Sequence, residues 1–172
     1  MSEKLRVATI TASDTRTADD DLGGRTLREL LAAGGFELAE HHIVREDVAV
    51  LREAVRAVVD DAAIDAVVVT GGTGLAPRDV TIEAIAPLLD KVMDGFGEAF
   101  RRLSWDDIGA RAMLSRAIAG TRASKVIFAL PGSVGGVQLG TERLIVPVLA
   151  HAVSVARGQG KHAAHSTGKK AT

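Results

Sequence analysis

The chain has 172 residues, no cysteine, a formal net charge of -1 and only 3% aromatic residues. That length suits one domain able to bury roughly 70% of its unfolded surface without staples, and the missing cysteines exclude disulfides and thiolate metal ligands. Balanced charge and scarce aromatics leave neither a basic patch nor a stacking platform for nucleic acid. No apolar leader follows Met1-Ser2-Glu3-Lys4. The longest apolar runs, 62–64 and 66–69, are split by Asp65 and fall well short of the ~20 residues of a membrane helix. The expectation is a cytoplasmic protein with no membrane or nucleic-acid partner.

In chain order, Leu5 to Thr11 reads as a strand entering the polar loop Ser13-Asp14-Thr15-Arg16-Thr17. Leu27, Leu30 and Leu31 at i, i+3, i+4 predict a helix over 24–33, closed by Gly34-Gly35 as a C-terminal cap. Phe36 to Val44 is the second strand. His41 and His42 adjoin in it and point to opposite faces, so they cannot share a metal and are read as structural. Asp47 stands as an N-cap candidate before Val48, Leu51, Val55, Val58 and Val59, whose spacing is helical. The β-branched run from Ala66 to Thr70 predicts a strand buried on both faces, and the alternation of strand and helix predicts a doubly wound α/β fold. Further on, the pattern predicts a helix over 80–89, punctuation at Asp94-Gly95-Phe96-Gly97, helices over 98–103 and 107–114, and an apolar pair, 116–120 and 125–130. That pair forms a hairpin and makes the sheet mixed. Helices over 137–144 and 148–157 follow, with Trp105 expected in a surface groove or subunit contact. Residues 1–157 form the domain, and 158–172, lacking apolar periodicity, read as a flexible tail.

The densest chemistry lies at Thr70-Gly71-Gly72-Thr73-Gly74-Leu75-Ala76-Pro77-Arg78-Asp79-Val80-Thr81. An apolar strand feeds it and a helix follows, so successive N–H groups can converge on a phosphate. It is neither a Walker loop nor a dinucleotide fingerprint. Together with Ser13-Asp14-Thr15 and Pro131-Gly132-Ser133 it makes three loops after three strands, which can line one crevice at the carboxyl edge of a sheet. Asp79 stays open between capping the next helix and chemistry, and Asp47 has the same ambiguity. Chemically, both could hold Mg²⁺, which takes one or two carboxylates plus phosphates. Ser133 lacks a nucleophile elbow and is read as a hydroxyl donor.

The run Thr70 to Ala84, with Pro87 to Lys91, Gly95 to Arg101, Ala112-Met113-Leu114-Ser115-Arg116-Ala117 and Leu130-Pro131-Gly132-Ser133, resembles the molybdenum cofactor biosynthesis family of MoaB and MogA type. The likeness spans Leu5 to about Arg157. It implies a three-layer αβα sandwich with a mostly parallel, mixed sheet, assembled as a homotrimer or homohexamer. It implies molybdopterin and ATP as substrates and Mg²⁺ as cofactor, with AMP transferred to the molybdopterin phosphate and pyrophosphate released. By the same resemblance, Asp47 and Asp79 would be the catalytic and metal-binding carboxylates. Gly71, Gly72, Thr73 and Gly74 would cradle phosphate. Ser13, Asp14, Ser115, Pro131, Gly132 and Ser133 would bind pterin or nucleotide. The wording from Gly95 to Ala117 resembles the B branch, for which the alternative is a non-catalytic molybdopterin-binding carrier.

Overall fold

A computed structural model describes residues 4–159. Its six strands are β1 (Arg6–Ala12), β2 (Glu37–Val44), β3 (Ala66–Thr70), β4 (Lys91–Val92), β5 (Ile118–Arg122) and β6 (Lys125–Leu130). They form one sheet in the order β2-β1-β3-β6-β5-β4. The first four in that order run parallel, whereas β5 pairs antiparallel with both β6 and β4. The sheet is therefore mixed. Chain order reverses at β1, which has β2 on one side and β3 on the other, so the switch point lies beside the ends of β1 and β3.

Helices α1 (Leu22–Ala33), α2 (Val48–Asp60), α3 (Thr81–Ile85), α4 (Asp94–Ile108), α5 (Val134–Gly140) and α6 (Val146–Ala156) cover both faces. Strand alternation distributes the core between them. Ala66 and Val68 of β3 and Phe128 of β6 join Leu27, Leu31, Phe96, Phe100, Val137, Leu149 and Val153 from α1, α4, α5 and α6. Val67, Val69 and Ile127 turn the other way onto Leu51, Val55, Val58, Val59 and Ile85 from α2 and α3. Phe96 meets Phe128 edge-on with ring centroids 5.1 Å apart. The result is the expected three-layer αβα sandwich.

Several boundaries differ from the sequence pattern, each for a local reason. Helix α1 begins at Leu22 because Asp21 caps it, its side chain accepting from Gly24 N. Asp94 to Gly97 do not punctuate; they form the first turn of α4, where burial of Phe96 in the core outweighs the low helix propensity of the two glycines. The short strand β4 went unforeseen because two residues carry no periodicity. The two predicted C-terminal helices are continuous over 134–156, joined by a π-helical turn at Thr141–Ile145. That turn accommodates Pro147, whose ring would clash with the carbonyl four residues earlier in a regular helix. The combined stretch is long and apolar enough by length and composition to cross a membrane. Its Val137, Ile145, Leu149 and Val153 pack into the core. Gly158 N and Gln159 N donate to Val155 O and Ser154 O and close α6. Of the expected tail, residues 160–172 lie outside the described residues.

The β5–β6 hairpin turns on Ala123 and Ser124, both in the left-handed region at φ 48° and 64°. Two successive positive φ values are the type I′ geometry that matches strand twist and favours Asn-Gly, and each non-glycine residue there is strained. Replacing Ala123-Ser124 by Asn-Gly is expected to raise unfolding free energy by about 1 kcal/mol. Urea unfolding checks this: the midpoint rises with an unchanged slope, and an unchanged midpoint overturns it.

Candidate functional site

Three strand ends meet with backbone against backbone. Gly71 and Gly72, after β3, take φ 90° and 64°. A Cβ on Gly71 would collide with the Ala12 carbonyl at the end of β1, and one on Gly132, after β6, would sit 3.1 Å from the Gly71 Cα. On the far side, a Cβ on Gly23 of α1 would come within 2.9 Å of the Gly132 carbonyl oxygen. Only glycine permits this approach. The loop is then pinned from within, as Gly71 N donates to Leu130 O at 3.0 Å, Thr81 N to Gly72 O at 3.0 Å, and the buried Thr81 Oγ1 to Gly71 O at 2.7 Å.

Two cavities open on this junction. One, of about 330 Å³, is polar and is lined by Ser13, Asp14, Glu46, Gly71, Gly72, Arg78 and Gly132, with Thr11 and Asp21 in its wall. The other, of about 390 Å³, is walled mainly by apolar groups, Phe100, Ile108, Ala112, Pro131 and Leu139, with Ser115 at its side. Ser133 belongs to both walls and caps α5, its Oγ accepting from Gly136 N at 3.2 Å. A ligand with an aromatic end and a phosphate end has a compartment for each.

The polar wall is held by Asp21, which is only 5% exposed. Its carboxylate accepts from Thr11 Oγ1 at 2.6 Å and from Gly24 N at 2.9 Å. His41 Nε2 stands 3.1 Å from the same carboxylate. The other ring nitrogen meets Thr9 Oγ1 at 2.8 Å. His41 is thus structural, as expected, and ties β2 to β1 and α1. His42 lies apart on the edge strand against Glu40.

The predicted residues divide. Ser13, Asp14, Gly71, Gly72, Gly132 and Ser133 line the polar cleft, while Ser115, Pro131 and again Ser133 line the apolar one. Thr73 and Gly74 line neither. Thr73 is buried, and both carbonyls are taken by Arg116 from its main-chain N and its Nε. Asp79 does not cap α3, whose N-cap is Val80 without any side-chain bond. Its Oδ2 instead accepts from Ala76 N at 2.8 Å while its own N donates to Ala76 O at 2.8 Å, closing the turn around Pro77 and Arg78. Asp47, like Asp79, lines neither cavity. Asp47 Oδ1 accepts from Ala49 N at 2.9 Å and Val50 N at 3.0 Å and caps α2, the N-cap role its position predicts.

Its neighbour Glu46 faces the cleft. Glu46 N donates to Asp14 Oδ1 at 3.0 Å, and its side chain is 10% exposed with Arg78 Nε 4.0 Å away. Burial raises its proton affinity above the ordinary glutamate value, and the negative charges of Asp14 and Asp79 add to that, against a smaller opposing effect of Arg78. Glu46 was legible only indirectly. An N-cap side chain turns onto its helix, so in a Glu-Asp pair with Asp as cap, the preceding residue is the one left outside the helix. Among the described residues no three acidic or histidine side chains gather as a metal cage. What the cleft offers is the Glu46 carboxylate beside that of Asp14, oxygen donors suited to a hard cation that takes its remaining ligands from phosphate and water.

Comparison with known proteins agrees with this architecture. The profile of the probable molybdopterin binding domain matches residues 8–151. Molybdenum cofactor biosynthesis protein B of Staphylococcus aureus (strain COL) is 47% identical over 157 residues, covering 89% of this chain and 92% of the relative. The protein of the same name from Halalkalibacterium halodurans is 48% identical over 148 residues, covering 86% and 87%. A crystal structure of a molybdenum cofactor biosynthesis protein B superposes with TM-score 0.88 at 45% identity, covering 91% of this chain and 98% of the other. The molybdopterin biosynthesis enzyme MoaB of Thermus thermophilus does so with TM-score 0.80 at 36% identity, again covering 91% and 98%. Matched by that profile over most of its length and nearly half identical to these relatives, the chain belongs to the molybdopterin-binding family of the molybdenum cofactor biosynthesis proteins MoaB and MogA.

Proposed function

We propose that this protein acts in molybdenum cofactor biosynthesis as a molybdopterin adenylyltransferase, with Glu46 and Asp79 as the carboxylates of the reaction and Asp47 as a helix cap. The observation that carries the reading is the pair of cavities joined at Ser133, one apolar and the size of a heteroaromatic ring system, the other polar and floored by the Gly71-Gly72 main chain. In the reaction a terminal oxygen of the molybdopterin phosphate forms a bond to the α-phosphorus of ATP, and the bond from that phosphorus to the bridging oxygen of pyrophosphate breaks. Little covalent chemistry falls to the protein, so positioning and charge neutralisation dominate.

The chain's own groups supply both. Main-chain donors at Gly72 and Gly132 and the Ser13 and Ser133 hydroxyls orient phosphate oxygens, and Arg78 at the cleft mouth opposes their charge. Glu46 and the remaining oxygen of Asp79 would hold Mg²⁺, which supplies neutralisation of the phosphate charge when bound. The apolar cavity excludes water from one side of the substrates. A second reading, a molybdopterin carrier without turnover, is favoured by the engagement of Asp79 Oδ2 in the turn with Ala76. Incubation of the protein with ATP, Mg²⁺ and molybdopterin decides between them. AMP-molybdopterin with stoichiometric pyrophosphate is expected, whereas pterin binding with no product selects the carrier.

The assignment of carboxylates is testable in one series. Glu46→Gln and Asp79→Asn are each expected to lower the adenylyl-transfer rate by about 100-fold or more, as loss of a positioned charged group does. Asp47→Ala should lose about 1 kcal/mol of stability through the missing cap. At temperatures where it remains folded, it should retain most of the activity. Asp47→Ala as inactive as Glu46→Gln in a folded protein contradicts the assignment.

A stability measurement tests the same placement without substrate. A folded-state proton affinity above the unfolded one means that wild-type stability falls as pH rises from the ordinary glutamate range through the raised value. Glu46→Gln removes that loss. The variant is expected to melt above wild type near neutral pH, with the difference shrinking to nothing below about pH 4, where both forms are uncharged. Equal melting temperatures at neutral pH refute it.

A further inference from the structure

We infer that Arg116 is a positioning residue for the proposed reaction, a brace that holds the Gly74–Asp79 loop and with it the Asp79 carboxylate and Arg78 in place. The inference rests on the adenylyltransferase reading for its function and on geometry for its mechanism. Arg116 stands just before β5, outside the linings of both cavities. Its Nε donates to Gly74 O at 2.9 Å and its Nη2 to Asp79 O at 3.0 Å, so one guanidinium grips both ends of the same loop. Its main-chain N donates to Thr73 O at 3.1 Å, one residue earlier. Glu83 of α3 locks the group from the other side, with Oε2 accepting from Nη2 at 3.2 Å and Oε1 from Nη1. That pairing holds the Glu83 carboxyl below the ordinary glutamate range.

The loop needs such a tie. Leu75, Ala76, Pro77 and Arg78 are all exposed, and Leu75 has 65% of its surface in solvent. Within the loop, the bonds between Ala76 and Asp79 close a turn but do not attach it to the body. Attachment comes from Arg116 at both ends and from Thr81 behind them. Because the Asp79 carbonyl is held, the direction in which its carboxylate leaves the backbone is held too. The positive charge of Arg116 is met by Glu83 and by carbonyls, so the residue contributes geometry to the cleft and not charge. Only a planar fork can address two carbonyls and a carboxylate at once; a lysine ammonium carries the same charge without that reach.

Three variants separate this role from alternatives. With Arg116→Lys, the rate at saturating ATP and molybdopterin is expected to fall by about 10- to 100-fold, the cost of misplacing a reacting group. The KM for molybdopterin should change by less than about 2-fold, as the apolar cavity is untouched. Arg116→Ala should fall further and recover in part on addition of millimolar guanidinium, with no recovery on addition of ammonium. Glu83→Gln keeps one acceptor oxygen and should fall by only a few-fold. Amide hydrogen exchange read at Ala76 and Asp79 supplies the arm that needs no turnover: both should exchange about 10-fold faster in Arg116→Lys, with the core strands unchanged. Arg116→Lys with wild-type rate and wild-type protection at those amides overturns the inference. If the wild-type protein makes no AMP-molybdopterin, the adenylyltransferase reading falls while the exchange measurement still decides whether Arg116 braces the loop. A melting temperature lowered with equal losses in every parameter and no guanidinium rescue marks Arg116 as merely structural and also overturns it.

Discussion

The site depends on one close approach, the packing of Gly71 against the Ala12 carbonyl and of Gly132 against Gly71. Side chains normally hold the ends of neighbouring strands apart. Here their absence lets β1, β3 and β6 deliver their following loops to a single point beside the switch in strand order. The backbones of Gly71, Gly72 and Gly132 then line a common space without side chains of their own, and the positive φ at Gly71 and Gly72 turns the loop before α3 begins. Everything else at the site serves this junction: Thr81 pins it from below, Asp21 holds its outer wall, and Ser133 closes it at the start of α5.

Carboxylates around the junction show how local hydrogen bonding allots roles. Asp21, Asp47 and Asp79 each accept a backbone N–H, and each thereby organises a helix start or a turn. Glu46 accepts no such bond and lies in a wall shared with Asp14, with Asp79 close enough for its charge to be felt. Such a group is costly to keep ionised, and a folded protein that retains it sets binding capacity against stability. The apolar cavity beside it has the opposite character, and among the described residues Ser133 is the one found in both walls.

Much of this was legible in order along the chain. The β-branched run at Ala66–Thr70 named the central strand because burial on both faces demands it, and the helical spacing from Val48 to Val59 named α2 because only one side of that helix meets the sheet. The pattern failed where tertiary burial overrode local propensity. The glycines at Gly95 and Gly97 read as a break, yet the burial of Phe96 and Phe100 carries α4 through them. Pro147 read as a boundary, yet a π-helical turn before it lets the helix continue. Asp47, open in the sequence between cap and chemistry, makes the cap bonds, and Glu46 stands beside Asp14.

The sequence by itself determined the layered α/β class, the mixed sheet, the three loops at the carboxyl edge and the family they resemble. These follow from periodicity, glycine placement and short motifs, which act between residues close in the chain. Tertiary structure alone decided which side chains face the ligand space. Glu46 meets Asp14 across a sequence separation of 32 residues. Arg116 reaches Gly74 and Asp79 across a sequence separation of 42 and 37 residues. No periodicity encodes such a contact, because it exists only once β3 and β6 lie side by side and β5 has folded back on β6.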